Sequence, residues 1–191
     1  MTSVTIFGSG NMGTAINGVL STGGADVEHI GSTDTTATVA GDIVILAVPY
    51  PALASIVATY GPQLAGKTVV DITNPLNFET FDSLTVPADS SAAAELAAAL
   101  PSAKVLKAFN TTFAATLDSG TVGDQPATVL IAGDDAEAKA QLAEIVTGGG
   151  LTAIDAGALN RARELEALGF LQLTLAASEK IDWTGGFALK A

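Results

Sequence analysis

"TIFGSGNMGTA", residues 5–15, places three glycines, Gly8, Gly10 and Gly13, directly behind a short apolar run. Glycine tolerates positive φ and close backbone approach, so such a cluster between two regular elements marks a tightly constrained turn. The run Val4–Phe7 reads as a strand. From about Asn11 to Leu20 the apolar residues Met12, Ala15, Ile16 and Val19 recur at helical spacing. In this strand–turn–helix setting the G-x-G-x-x-G pattern has a specific physical meaning. The first glycine permits the turn, the second lets the backbone approach a pyrophosphate, and the third allows the helix to pack closely on the strand. The N–H groups around Gly10–Met12 would face the phosphates, helped by the helix N-terminus. The stretch therefore predicts the start of a dinucleotide-binding unit.

The remainder alternates in the same way. Val27–Ile30, "DIVILAVP" (42–49), "KTVVDIT" (67–73), "KVLKAFN" (104–110), "ATVLIAG" (127–133) and "LTAIDAG" (151–157) read as strands. "PALASIVATY" (51–60), the Ala-rich "SSAAAELAAAL" (90–100) and the amphipathic "DDAEAKAQLAEIV" (134–146) read as helices between them. Alternating strands and helices predict an α/β fold with a mostly parallel, Rossmann-type doubly wound sheet. That unit occupies 1–157. Residues 158–191 form a C-terminal helix and tail, apolar on nearly every side from Leu165 to Ala177. Such a helix has to be covered. A second copy of the chain is the expected cover, and packing on its own sheet alone is the other reading.

Composition narrows the function. The 191 residues carry 20 acidic against 8 basic side chains, a net charge of −12, which repels nucleic acid and anionic lipid surfaces. No cysteine is present, which removes thiolate chemistry and zinc–cysteine sites and fits a reducing cytoplasm. The single histidine, His29, lies within a predicted strand, so multi-histidine metal sites are excluded and the residue reads as structural. Residues 43–66 carry no charge, yet Pro49, Pro51 and Gly61–Pro62 interrupt them, so a membrane span is not expected.

The tip of the second strand selects the dinucleotide. NAD binders usually place a carboxylate there for the ribose 2′-hydroxyl. Here the strand runs into "IGSTDTT" (30–36), where Ser32, Thr33 and Thr35 offer hydroxyls to a 2′-phosphate, while Asp34 stands close by. NADP is favoured over NAD.

"VTIFGSGNMGTA", "IGS", "ILAVPYPAL", "VVDITNPLN" and "KAFNTTFA", taken together and in order across residues 4–180, resemble the NADP-dependent oxidoreductases related to NADPH:deazaflavin (coenzyme F420) reductase. The cytoplasmic domains of six-transmembrane metalloreductases are similar in the same blocks. The resemblance implies NADP lying across the strand C-termini. Gly8, Ser9, Gly10, Asn11 and Met12 would hold the pyrophosphate, and Ser32 with Thr33 the adenosine phosphate. Ala47, Val48, Pro49 and Tyr50 would line the path to the nicotinamide. Thr73, Asn74 and Pro75, with the segment from Asn110 to Ala115, would frame the ring itself. For Tyr50 packing at a helix start, for Asn74 a turn before Pro75, and for Asn110 a strand-end cap stay open as other readings.

Two departures from the family pattern stand out. Thr33 replaces the usual arginine, and only "GSTDTTATVAG" separates the second strand from the "AVP" strand. One edge strand and one helix are therefore expected to be missing. Hydride transfer to a flavin-, deazaflavin- or quinone-like acceptor needs positioning rather than an obligatory protein acid. A ketone needs a placed donor, for which Lys107, Tyr50 and Thr111 are the remaining candidates; Lys107 reads better as half of an ion pair. No catalytic side chain is assigned. Arg161 and Arg163 are a cationic pair suited either to an anionic acceptor or to surface pairing with Glu164 and Glu166. An NADP(H)-reading sensor without turnover and an imine reductase of the pyrroline-carboxylate type are the alternatives.

Overall fold

A computed structural model describes residues Met1–Leu189; Lys190 and Ala191, the end of the C-terminal segment, lie outside the described residues. Five short strands, each rich in β-branched or long aliphatic residues, run side by side in parallel: β2 (Asp26–Ile30), β1 (Ser3–Phe7), β3 (Ile43–Leu46), β4 (Thr68–Asp71) and β5 (Lys104–Lys107). Every residue of β3 and β4 is buried, as strands covered on both faces require. β8 (Thr128–Gly133) then joins β5 antiparallel, and β9 (Thr152–Gly157) pairs parallel to β8. The seven-stranded order is β2-β1-β3-β4-β5-β8-β9. The chain leaves β1 to one side for β2 and returns to the other side for β3, so a crevice opens at the carboxyl ends of β1 and β3.

The helices form two layers. On one face α1 (Asn11–Thr22) and α5 (Ala136–Gly148) place Ile16, Leu20, Leu142 and Val146 in a core with Ile6, Ile45 and Ile131. On the other, α2 (Leu53–Leu64) and α3 (Ala92–Ala99) place Leu53, Ile56, Leu64 and Leu96 against Val44, Leu46 and Val69. Local chemistry starts two of these helices: Ser91 caps α3 by accepting from the Ala94 N–H, and Asp135 caps α5 through Ala138.

Residues 31–42 contain neither helix nor strand, so the expected shortening is found. The link is tied down by side chains. The Tyr60 hydroxyl donates to the Asp34 carbonyl, and Gln63 accepts from the Val39 N–H at 2.9 Å. Thr5 donates to Glu28 and accepts from the Gly41 N–H.

The segment after β5 departs from the sequence reading. It holds a short helix, α4 (Ala114–Ser119), and a small hairpin of β6 (Thr121–Val122) and β7 (Gln125–Pro126), none of them expected. The last helix, α6 (Ala162–Ala177), buries one face, with Leu165, Glu166, Gly169, Gln172 and Ala176 turned inward. Its outward side carries Leu171, 50% exposed, between the half-buried Leu168 and Leu175. The helix is thus covered by its own chain on one side only. Beyond it the tail folds back: Thr116 donates to the Gly185 carbonyl, and Trp183 packs on Phe113 with ring centroids 5.0 Å apart. Among the described residues no helix is long and apolar enough to cross a membrane.

Candidate functional site at the strand carboxyl ends

The glycine turn is held by close backbone contacts. Gly8 has φ +100°, and a Cβ on it would stand 2.3 Å from the Ala47 carbonyl oxygen. A Cβ on Gly13 would stand 2.4 Å from the Gly8 carbonyl oxygen. Gly10 differs: nothing lies within 4 Å of where its Cβ would be, and no side chain caps α1 at this residue. The turn therefore presents an uncapped helix start to open space, a cradle that a side chain at residue 10 would fill. Ser9, Gly10 and Asn11 are exposed around it. His29, structural on the sequence reading, has a specific task here: its Nδ1 lies 2.9 Å from the Gly8 carbonyl oxygen and braces the turn from β2.

On the β2 side of the turn a cavity of about 220 Å³ is lined by Gly8, Gly31, Ser32, Asp34 and Val48, with Tyr60 at its back. Thr35 also lines it, whereas Thr33, exposed between Ser32 and Asp34, does not. On the other side a second cavity, about 400 Å³, opens between Met12, the ends of β4 and β5, and α6. Asn74 and Asn110 lock together across its floor. Asn74 Nδ2 donates to the Asn110 carbonyl at 2.8 Å, and Asn110 Nδ2 donates to Asn74 Oδ1 at 2.9 Å and to the Leu165 carbonyl at 2.8 Å. A Cβ on Gly169 of α6 would come within 2.4 Å of Asn74 Oδ1, so only glycine lets that helix close on the pair. Phe109, fully buried against the same cavity, adopts φ +62°, a conformation costly for a bulky residue.

Beneath this floor lies a buried charge cluster. Lys107 Nζ donates to Asp71 Oδ2 at 2.9 Å, to Glu166 Oε1 at 2.8 Å and to the Thr73 carbonyl, with all three charged side chains at zero exposure. Glu166 also accepts the Ala92 N–H at 3.0 Å and the Ala93 N–H at 3.4 Å, the first donors of α3. Burial pushes the Glu166 carboxyl above the usual carboxylate range; Lys107 and Ala92 oppose the shift without cancelling it. One lysine thus ties α6, α3 and the Thr73 loop together.

Residues 25–75 match the protein-family model described as "NADP oxidoreductase coenzyme F420-dependent". Over 173 residues the chain is 32% identical to the F420-dependent NADP reductase of Methanocaldococcus jannaschii, covering 87% of this chain and 76% of that protein. The chain belongs to this family of NADP oxidoreductases. Its fold superposes along its whole length on a crystal structure provisionally described as an F420-dependent NADP reductase from Arthrobacter sp. FB24, with a TM-score of 0.85 and 25% identity. Metalloreductase STEAP3 of Rattus norvegicus is 41% identical over 106 residues, 56% of this chain, and the match spans 20% of that longer protein. Pyrroline carboxylate reductase of Plasmodium falciparum, at 14% identity and a TM-score of 0.60, shares the fold.

The residues of this NADP oxidoreductase fit a dinucleotide: the open cradle at Gly10, the cavity by Ser32 and the Asn-floored cavity flank one turn. Not every residue singled out in the sequence of this family member is turned to these cavities. Tyr50 faces α3, where its hydroxyl donates to Glu95 Oε2 at 2.5 Å; burial and that carboxylate push its pKa up to about 12. Pro49 is exposed at the start of the turn that precedes α2, while Ala47 backs the glycine turn. Arg161 lies 3.6 Å from Glu164 at the surface, while Glu166 is buried with Lys107, so surface pairing, one of the two readings left open for the arginines, is found for Glu164 and not for Glu166. Thr73 is buried behind Asn74, and Pro75 is buried beside it. Sequence reasoning missed Gly169, Gln172 and Trp183, all of which line the larger cavity; the only signal was a glycine inside an otherwise apolar helix.

Proposed function

We propose that this NADP oxidoreductase transfers hydride between NADP(H) and a flat, uncharged redox head group of the flavin, deazaflavin or quinone kind, without an obligatory side-chain acid. The observation that carries the reading is the larger cavity: it adjoins the glycine turn through Asn11 and Met12, and no charged residue lines it. When bound, NADPH supplies the hydride, and the acceptor draws any proton it needs from solvent. The chain's own part is binding and orientation. Gly8, Ser9, Gly10, Asn11 and Met12 hold the pyrophosphate; Ser32 and Thr33 receive the 2′-phosphate. Asn74 and Asn110, held rigid by their mutual hydrogen bonds, frame the nicotinamide, with Thr73 and Pro75 buried behind them as support. Lys107 is committed to two carboxylates, and Tyr50 stays protonated and paired with Glu95, so neither serves as a proton donor for a ketone or imine.

Residues 158–189, α6 and its tail, act as the cover of this cavity. The ridge of Leu168, Leu171 and Leu175 supports a homodimer, which Leu171→Glu should dissociate in light scattering. Function is tested by following NADPH oxidation with riboflavin, menadione, a cyclic imine and simple ketones. Turnover with the flat acceptors is expected. Reduction of the imine or ketones alone would overturn the reading, and tight NADPH binding with no turnover would favour a sensor.

A further inference from the structure

Four buried side-chain polar atoms among the described residues lack a hydrogen-bond partner: Thr73 Oγ1, Asn110 Oδ1, and both Nε2 and Oε1 of Gln172. Gln172 is the extreme case, a primary amide 1% exposed and unpaired at donor and acceptor alike. Leaving such a group unsatisfied costs about 1–3 kcal/mol. The inward positions next to Gln172 on α6, Gly169 and Ala176, carry no side-chain group that could pair with it. Gln172 is one of the residues lining the larger cavity, so a ligand there is the partner its amide lacks within the chain.

Its position along α6 says which ligand. Gly169 abuts Asn74 and Asn110, the residues at the strand ends. Gln172 comes three residues later, about 4.5 Å further along the helix axis. There Nε2 lies beside Gly186 of the tail, where a Cβ would stand 2.9 Å from it. The walls on this side are aromatic, Phe113 and Trp183. A flat ring lying against this packed pair would meet one carboxamide whose N–H and carbonyl oxygen are both unpaired.

We infer that Gln172 is the specificity-determining residue for the hydride acceptor, pairing through Nε2 and Oε1 with the adjacent C=O and N–H of a cyclic imide fused to a flat redox ring. This rests on the proposed hydride transfer in so far as the cavity receives an acceptor. A quinone offers acceptors alone and would leave Oε1 unpaired, so the amide favours imide-bearing acceptors over quinones.

The test pairs a protein change with a ligand change. Lumiflavin and its N3-methyl derivative, which lacks the imide N–H, are titrated into NADP⁺-loaded wild type and Gln172→Met, with flavin fluorescence reporting binding. Wild type should bind lumiflavin about tenfold more tightly than the methylated form, and Gln172→Met should bind both equally weakly. Ligand-free Gln172→Met, relieved of an orphaned amide, should melt about 2–4 °C higher, and its NADP⁺ affinity should stay within about twofold of wild type. An equal methylation penalty in both proteins, no lumiflavin binding by wild type, or a lower melting temperature in the variant would each overturn the assignment. A tenfold loss of NADP⁺ affinity would overturn it too, by putting Gln172 on the cofactor. Because binding is read without turnover, failure of the hydride-transfer reading shows separately, as absent NADPH oxidation.

Discussion

The glycine turn and the cavity under α6 adjoin each other and are made of different material. The turn is backbone: Gly8 and Gly13 fit because they have no Cβ, and Gly10 leaves an open cradle. The cavity is side chain: a paired Asn74 and Asn110, an orphaned Gln172, and a buried Asp71–Lys107–Glu166 cluster underneath. A cofactor common to many enzymes can be held by peptide groups that any sequence supplies. Choice of acceptor needs particular side chains brought from distant parts of the chain.

Four experiments press on that contrast. The largest effect is expected at Lys107. Replacing it with Met strands two buried carboxylates and should cost about 3–5 kcal/mol of stability, read as a lower denaturation midpoint. Removing both charges in the same protein (Asp71→Asn with Glu166→Gln) should recover much of it. Next come the glycines. Gly8→Ala meets backbone at a positive φ and should lose about 3 kcal/mol. Gly10→Ala meets nothing, so it should melt like wild type yet bind NADPH at least about tenfold more weakly in calorimetry. Equal damage at both positions would break the distinction between fold and cradle.

A smaller gain is expected at the phosphate corner. Thr33→Arg should raise NADPH affinity about tenfold and leave NADH affinity unchanged. The smallest effect is a slope. Glu166 has a raised carboxyl pKa in the fold, so the folded chain holds this proton more tightly than the unfolded one. That contribution is present below the ordinary glutamate pKa and is lost as pH rises through the raised value. Melting temperatures across that window should show a downward component in wild type that is absent in Glu166→Gln.

The same contrast explains what the sequence disclosed. Strand–glycine–helix order is local, so the turn, the strands of the sheet and the shortened link after β2 were all legible. β8 was legible as a strand but its reversed direction was not, because side-chain patterning does not encode orientation. α4 and its hairpin were too short to show a period. Lys107 was readable as an ion pair, yet its partners lie 36 and 59 residues away. Tyr50 sits in a family motif, but a carboxylate 45 residues on turns it to α3. Gln172 lies within the stretch read as apolar on nearly every side, and its lack of a partner is visible only in three dimensions.

The shortened link after β2 has a final consequence. With no further strand beside it, β2 is left as one rim of the sheet, its backbone groups available to any passing strand. Asp26, Glu28 and His29 stand exposed along that rim, on a molecule already at −12. Ionisable side chains there make strand-by-strand stacking of one molecule on the next unfavourable, so the protein can dispense with an edge unit and still resist forming filaments.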